Sequence, residues 1–328
     1  MTHTPAPSTG GGRTFSPAVL PAMTPGHQLM FFSVAGSVSR AIWALARLGV
    51  ADHLTDGPRT AAELAEAVGA DPDALARVLR AAAALGVFAC LPDGCFALTP
   101  SADLLRTDAP ESRRDLVLLH GDELTRLPYG DILDTLRTGE PAFEQSFVRP
   151  YHEHLATDPD AAGLIARSVA AGHRGDLGYL TSLIDLTPFP SVAELGGDGL
   201  FLKALLDRHP HCAGSTVDPS GGPLPDDPHA WLLKQVLREL PDAEAVEVLH
   251  AVRTALGRDP ERRLFVVERV VGAVMPDLAA VTDLDMLLIT GGRERTADEW
   301  CTLFAAGGFT TVAARACGAW TAFECRPV

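Results

Sequence analysis

The sequence predicts an α/β protein in two parts: a mostly helical N-terminal domain containing a winged helix, then an open sheet flanked by helices. Three observations carry this expectation. Between residues 60 and 98, two short helical patterns precede two strand-like runs around Pro92-Asp93-Gly94. From Ser191 onward short apolar runs alternate with amphipathic ones, the pattern of a parallel-type sheet with crossover helices. The first crossover, Ser191-Val-Ala-Glu-Leu-Gly-Gly-Asp-Gly199, passes from an apolar run through a glycine cluster into a helix with Leu202, Leu205 and Leu206 on one face. Glycines let the backbone approach a ligand, and a helix N-terminus offers free N–H groups. Open α/β sheets hold nucleotide-like cofactors at such a turn.

Taken in order, residues 1–18 are rich in Thr, Pro, Gly and Ser and read as a disordered tail rather than a signal peptide. Leu29 to Leu48 carries Phe32, Val38, Ile42, Leu45 and Leu48 at near-helical spacing, and Gly49 ends the helix. Thr60-Ala-Ala-Glu63 is a capping box opening a helix through Val68. Asp71 and Pro72 supply the N-cap and first turn of a helix bearing Leu75, Val78, Leu79 and Leu85. Val87–Cys90 and Cys95–Leu98 form a β-hairpin by their turn chemistry, which completes helix–helix–hairpin, a winged helix. Helices continue through 101–185, broken at Pro110, Pro128 and Pro141. Strands are expected at 191–195, 214–217, 230–236, 264–269, 309–315 and 319–325, with helices near 200–208, 242–257, 277–290 and 296–306. The boundary falls near Leu186–Pro190, giving a helical domain over 19–187 and a sheet domain over 188–328.

With 328 residues, 47% of them hydrophobic, the chain can bury a sizeable core. Its net charge of −15 argues against nucleic acid or an anionic membrane as partner. The would-be recognition helix of the winged helix offers only Arg77 and Arg80, behind Asp71 and Asp73. The apolar face of that domain is better buried against a second subunit. The best membrane-span candidate is interrupted by Arg40 and Arg47, so a soluble, cytoplasmic protein is expected. The six cysteines form no CxxC pair and read as reduced thiols, and no metal site is expected. His152 and His154 flank Glu153 in what reads as an exposed turn with no further ligand placed nearby.

Several motifs go beyond pattern. Leu45-Ala-Arg-Leu-Gly-Val-Ala-Asp-His-Leu54, Phe96-Ala-Leu-Thr-Pro100, Gly139-Glu-Pro-Ala-Phe143, Gly291-Gly-Arg-Glu-Arg-Thr296 and Ala306-Gly-Gly-Phe309 together resemble the small-molecule O-methyltransferase family that uses S-adenosylmethionine (SAM). The resemblance runs from Leu29 onward. It implies a winged-helix dimerisation domain followed by a Rossmann-like class I methyltransferase domain. It also implies an interlocked homodimer whose N-terminal domains help close the partner's substrate pocket. The reaction implied is SAM-dependent methylation of a hydroxylated aromatic or polyketide-like small molecule of bacterial secondary metabolism. For the cofactor it points to Glu194, Gly196, Gly197 and Gly199 in the loop, to Asp218 for the ribose hydroxyls, and to Lys234.

The sequence departs from the family at three places. The family's loop reads acidic-x-Gly-Gly-Gly-x-Gly, and Glu194-Leu-Gly-Gly-Asp-Gly199 is one residue short. Only 12 residues separate Asp218 from Trp231, where the family has a helix, a third strand and the adenine-binding loop, so 219–229 is expected to be a loop and the sheet shortened. Arg238 stands where the family has its general-base histidine, and an arginine cannot take a proton from a substrate. The glutamates that orient that histidine in the family are kept as Glu268 and Glu294, either a catalytic pair or counter-ions of Arg238. His173, on the helix before the sheet, is a candidate replacement base. An alternative to SAM-dependent methyl transfer is a degenerate scaffold. It would catalyse a cyclisation, rearrangement or decarboxylation, or serve as the non-catalytic half of a heterodimer with an intact relative.

Overall fold

The computed structural model describes residues 23–218, 224, 228–257, 259–274 and 277–328, with the backbone alone for 173–175. The expected tail over 1–18 lies outside the described residues. So does most of the expected loop 219–229, of which Leu224 packs against the sheet core and Pro228 is buried. The chain divides into two compact units, Met1–Gly121 and Asp122–Val328.

The first unit holds α1 (Pro25–Leu48), α2 (Ala61–Val68), α3 (Pro72–Ala84), β1 (Phe88–Cys90), β2 (Phe96–Leu98), α4 (Pro100–Asp103) and α5 (Arg114–Gly121). The local signals act as read. The Thr60 side chain accepts from the Glu63 N–H while Glu63 reaches back to Thr60, and Asp71 accepts from the Ala74 N–H. Gly49 ends α1 in the left-handed conformation at φ 70°, which a glycine enters without steric cost. β1 and β2 pair antiparallel with Ala89 opposite Ala97, so the helix–helix–hairpin is present. α1 packs on α5, where the Trp43 ring occupies the space a side chain at Gly121 would need and Arg40 donates to the Gly121 carbonyl.

Within its unit α1 buries only Leu45 and Ala46, and Leu29, Met30 and Phe32 are 73%, 65% and 61% exposed. By length and composition this helix is long and apolar enough to cross a membrane despite Arg40. An apolar helix that packs against protein passes the same test, so length and composition do not decide its surroundings.

The second unit begins with five helices: α6 (Glu123–Gly130), α7 (Ile132–Thr138), α8 (Phe143–Phe147), α9 (Tyr151–Thr157) and α10 (Pro159–Leu180). There follow β3 (Ser191–Leu195), α11 (Leu200–Arg208), β4 (Ala213–Val217), β5 (Ala230–Lys234), α12 (Asp242–Leu256), β6 (Arg263–Arg269), α13 (Leu278–Asp285), α14 (Ala297–Ala306), β7 (Phe309–Cys317) and β8 (Trp320–Pro327). A single π-helical turn, Met286–Thr290, extends α13, and α6 to α9 pack around it. The helical run after Asp122 thus shares a compact unit with the sheet, while the change from helices to strand–helix alternation comes at β3.

The sheet order is β4-β3-β5-β6-β8-β7. The first four strands are parallel, as expected, but β8 is antiparallel to both β6 and β7. The short turn at Gly318 explains the correction, since so few residues can only return the chain as a hairpin. Successive strand residues point to opposite faces. Trp231, Leu233, Leu264 and Val266 meet Leu249, Val252, Trp300 and Phe304 on one side. Val192, Leu232, Phe265 and Val267 meet Leu180, Phe201 and Leu205 on the other. β4 is a sheet edge among the described residues, consistent with the shortened sheet.

Candidate active site

The glycine loop leaves β3 at Leu195, and Gly196 and Gly199 take φ of 72° and 75°. The Asp198 side chain accepts from the Leu200 N–H at 3.0 Å and opens α11. A side chain at Gly197 would strike the Glu194 carboxyl, so loop and carboxylate are in close apposition. Glu194 is buried, and its Oε2 has no hydrogen-bond partner among the described residues. Burial first, then the charge of Asp198, pushes its carboxyl up to about 7.

Lys234, at the end of β5, is 5% exposed. Its Nζ donates to Gln235 Oε1 at 3.3 Å and lies 4.9 Å from the centre of the Trp320 ring. Burial brings the ammonium down to about 7, against the opposing pull of Glu268 and Asp198. Gln235 then takes φ 58°, a left-handed conformation that is uncommon outside glycine. This turns the chain off β5 into the 3₁₀ turn Leu237–Glu239 that carries Arg238.

Arg238, Glu268 and Glu294 come together as the motifs imply. Arg238 Nη1 donates to Glu294 Oε1, with side-chain exposures of 14% and 0%. The Glu294 N–H donates to Asp283 Oδ1 at 2.6 Å. Burial raises the Glu294 carboxyl above its ordinary range and Arg238 opposes that rise. Glu268 is fully buried and neither of its oxygens has a hydrogen-bond partner among the described residues. Burial, then Glu294, pushes it up to about 8. Arg295 sits beneath: it donates to the carbonyls of Leu237, Leu240 and Arg293 and to Asp242 Oδ1, and lies 4.8 Å from the Trp300 ring centre. It thereby pins the Arg238 turn to the Gly291–Thr296 loop.

A pocket of about 550 Å³ joins these parts. One end is lined by Gly196, Gly197, Asp198 and Lys234, the other by Arg238, Glu239 and His152, while Glu268 and Glu294 are not in the lining and Glu194 and Gly199 lie just behind the glycine-loop end. Asp218 lies exposed just after β4, and His173 is on α10 with its side chain outside the described ones. Sequence reasoning missed His152, Glu239 and Arg295. Glu239, adjacent to Arg238, could have been flagged; His152 reads as an exposed turn residue, and in the structure it is exposed but lies on α9 and lines the pocket.

Residues 32–108 match the O-methyltransferase dimerisation domain, and residues 220–310 match the O-methyltransferase domain. The chain is 34% identical to the 8-amino-8-demethylriboflavin N,N-dimethyltransferase of Streptomyces davaonensis, across 94% of this chain and 98% of that protein.

The chain belongs to the O-methyltransferase family.

Among solved structures, LaPhzM superposes with a TM-score of 0.86 at 30% identity, covering 93% of this chain and all of that one. NcsB1 from neocarzinostatin biosynthesis, in complex with SAM and 2-hydroxy-5-methyl naphthoic acid, has a TM-score of 0.75 at 27% identity, covering 88% and 96%. The stretch that matches a dimerisation domain begins at residue 32 and takes in the exposed Phe32, Val34 and Leu48 of α1, while Leu29 and Met30 lie just before it. The relatives of this O-methyltransferase-family chain are methyltransferases, and none favours the alternative of a scaffold with other chemistry.

Proposed function

We propose that the protein transfers a methyl group from SAM to a hydroxyl of a small aromatic or polyketide-like acceptor. It does so as a homodimer whose helical part, residues 19–187, joins the subunits and covers the acceptor. The observation that carries this reading is one pocket with two chemically different ends, a glycine loop and an arginine-histidine end. The first end fits the amino-acid portion of SAM. The unpartnered Glu194 oxygen beside the glycine cradle is an acceptor suited to an ammonium group, and the α11 N-terminus favours a carboxylate.

Bound SAM supplies an electrophilic methyl group on a sulfonium. The residues of this chain do the rest. Glu194, Gly196, Gly197 and Gly199 would hold the amino-acid end, and Asp218 would take the ribose hydroxyls. Lys234, brought down to about 7 by burial, would add only a partial positive charge to a pocket that receives a cation. Arg238 is held by Glu294 and directs N–H groups at the acceptor oxygen without taking a proton. Glu268 stays protonated at neutral pH and adds no second negative charge next to Glu294. Proximity and alignment carry much of the barrier reduction in such a transfer.

A second reading, transfer to an aromatic amine, is favoured by Arg238 itself, because an amine lone pair attacks without prior loss of a proton. Calorimetric titration with S-adenosylhomocysteine tests the cofactor reading: micromolar affinity supports it, and no binding at millimolar ligand refutes it. Turnover of paired phenol and aniline acceptors then separates the two acceptor classes.

A further inference from the structure

We propose that His152, which lines the same pocket as Glu239, accepts the proton of the substrate hydroxyl. The inference rests on the methyl-transfer reading with a hydroxyl acceptor. As the acceptor oxygen attacks, its O–H proton must pass to a group at that end of the pocket. Arg238 is a permanent cation and cannot take it. Glu294 is committed to Arg238, and Glu268 lies outside the pocket lining. Asp198 and Lys234 belong to the glycine-loop end. Among the described residues lining the pocket, that leaves His152 on α9 and Glu239 in the turn after β5.

Both residues line the same pocket. Burial raises the Glu239 carboxyl, and the Arg238 guanidinium opposes that rise. An acidic group in the same pocket favours the imidazolium that forms on proton uptake, which is what a general base needs. Aromatic contacts hold α9 in place, among them Tyr151 against His152 with ring centres 5.2 Å apart. Phe143 packs against Tyr151 with ring centres 5.3 Å apart, and Phe147 against His154 at 4.8 Å. His154 is thereby taken up in an aromatic cluster while His152 lines the pocket. In the step, the acceptor oxygen forms the O–CH₃ bond as the S–CH₃ bond breaks, and its electron pair stays on sulfur. The hydroxyl proton passes to an imidazole nitrogen of His152. The products are a methyl ether, S-adenosylhomocysteine and an imidazolium that returns its proton to water.

The test compares kcat of wild type, His152→Gln and Glu239→Gln on phenols of graded acidity at saturating SAM. His152→Gln should lose about 10²–10⁴-fold on the least acidic phenol and little on nitrophenols that are already ionised. Added imidazole should restore part of the lost rate, which a packing defect would not allow. Glu239→Gln should show the same trend more weakly. An equal loss on every phenol, or a loss that imidazole leaves untouched, overturns the assignment. A second readout does not need turnover. With S-adenosylhomocysteine and an unreactive phenol bound, the His152 ring signals, assigned by their disappearance in His152→Gln, should shift. Unmoved signals overturn the proposal, whereas shifted signals in a protein that methylates no acceptor refute the methyl-transfer reading and not the contact.

Discussion

Arg238→Ala removes the charged partner of a carboxylate with no solvent exposure, and the cost can be worked from the geometry. Breaking one side of a buried ion pair costs about 3–5 kcal/mol. Two features pull the estimate to the lower end. The Arg238 side chain is 14% exposed, and burial already raises the Glu294 carboxyl, so in the variant Glu294 takes up a proton instead of staying charged. A loss of about 3 kcal/mol in a unit the size of Asp122–Val328 corresponds to a Tm lower by about 6–12 °C. The loss also has a sign with pH. A carboxyl raised in the folded state holds its proton over a range where the unfolded chain has released it, so stability falls as pH rises across that range. Removing Arg238 extends the range upward. The Tm deficit should therefore be largest near pH 8 and shrink toward pH 5. Calorimetric melts of wild type and variant at both pH values measure this directly. A deficit under about 2 °C at both, or one that grows on acidification, refutes the buried-pair reasoning. Loss of turnover with Tm intact would instead place Arg238 against the substrate as a polarising group.

Leu29→Glu with Phe32→Glu should convert a dimer to a monomer in light scattering, because it puts charge on the exposed apolar face of α1; a dimer that persists would locate the interface elsewhere. Glu268→Gln keeps a neutral side chain in place of a carboxyl held protonated up to about 8, so the fall of Tm between pH 5 and pH 8 should flatten relative to wild type. Gly197→Ala drives a methyl group into the buried Glu194 carboxyl and should weaken S-adenosylhomocysteine binding by at least about tenfold in calorimetry. Arg295→Lys replaces a planar fork that reaches three carbonyls and Asp242 by a single ammonium, and should cost about 2–4 kcal/mol in urea denaturation.

What was legible in the sequence follows from how local each cause is. β5, Ala-Trp-Leu-Leu-Lys, is buried at every position and reads as a strand because a central strand needs a continuous apolar run. The Thr60–Glu63 capping box and Gly49 read correctly because their partners lie within a few residues. The direction of β8 was also within reach, since the gap between the two expected strands was too short for anything but a hairpin. The assembly of Arg238, Glu268 and Glu294 was legible only through motifs, because the bonded pair is 56 positions apart along the chain. Arg295 escaped for a different reason: most of its acceptors are backbone carbonyls, which carry no residue identity. His152 is the case where both obstacles meet. Arg238 announces a chemical deficit in the sequence, a fixed cation where a hydroxyl acceptor requires a proton sink. Any compensation has to come from a segment whose distance along the chain says nothing about its distance in space. Only the fold brings His152 and Glu239 to the same pocket, so the deficit could be read from the sequence and its remedy could not.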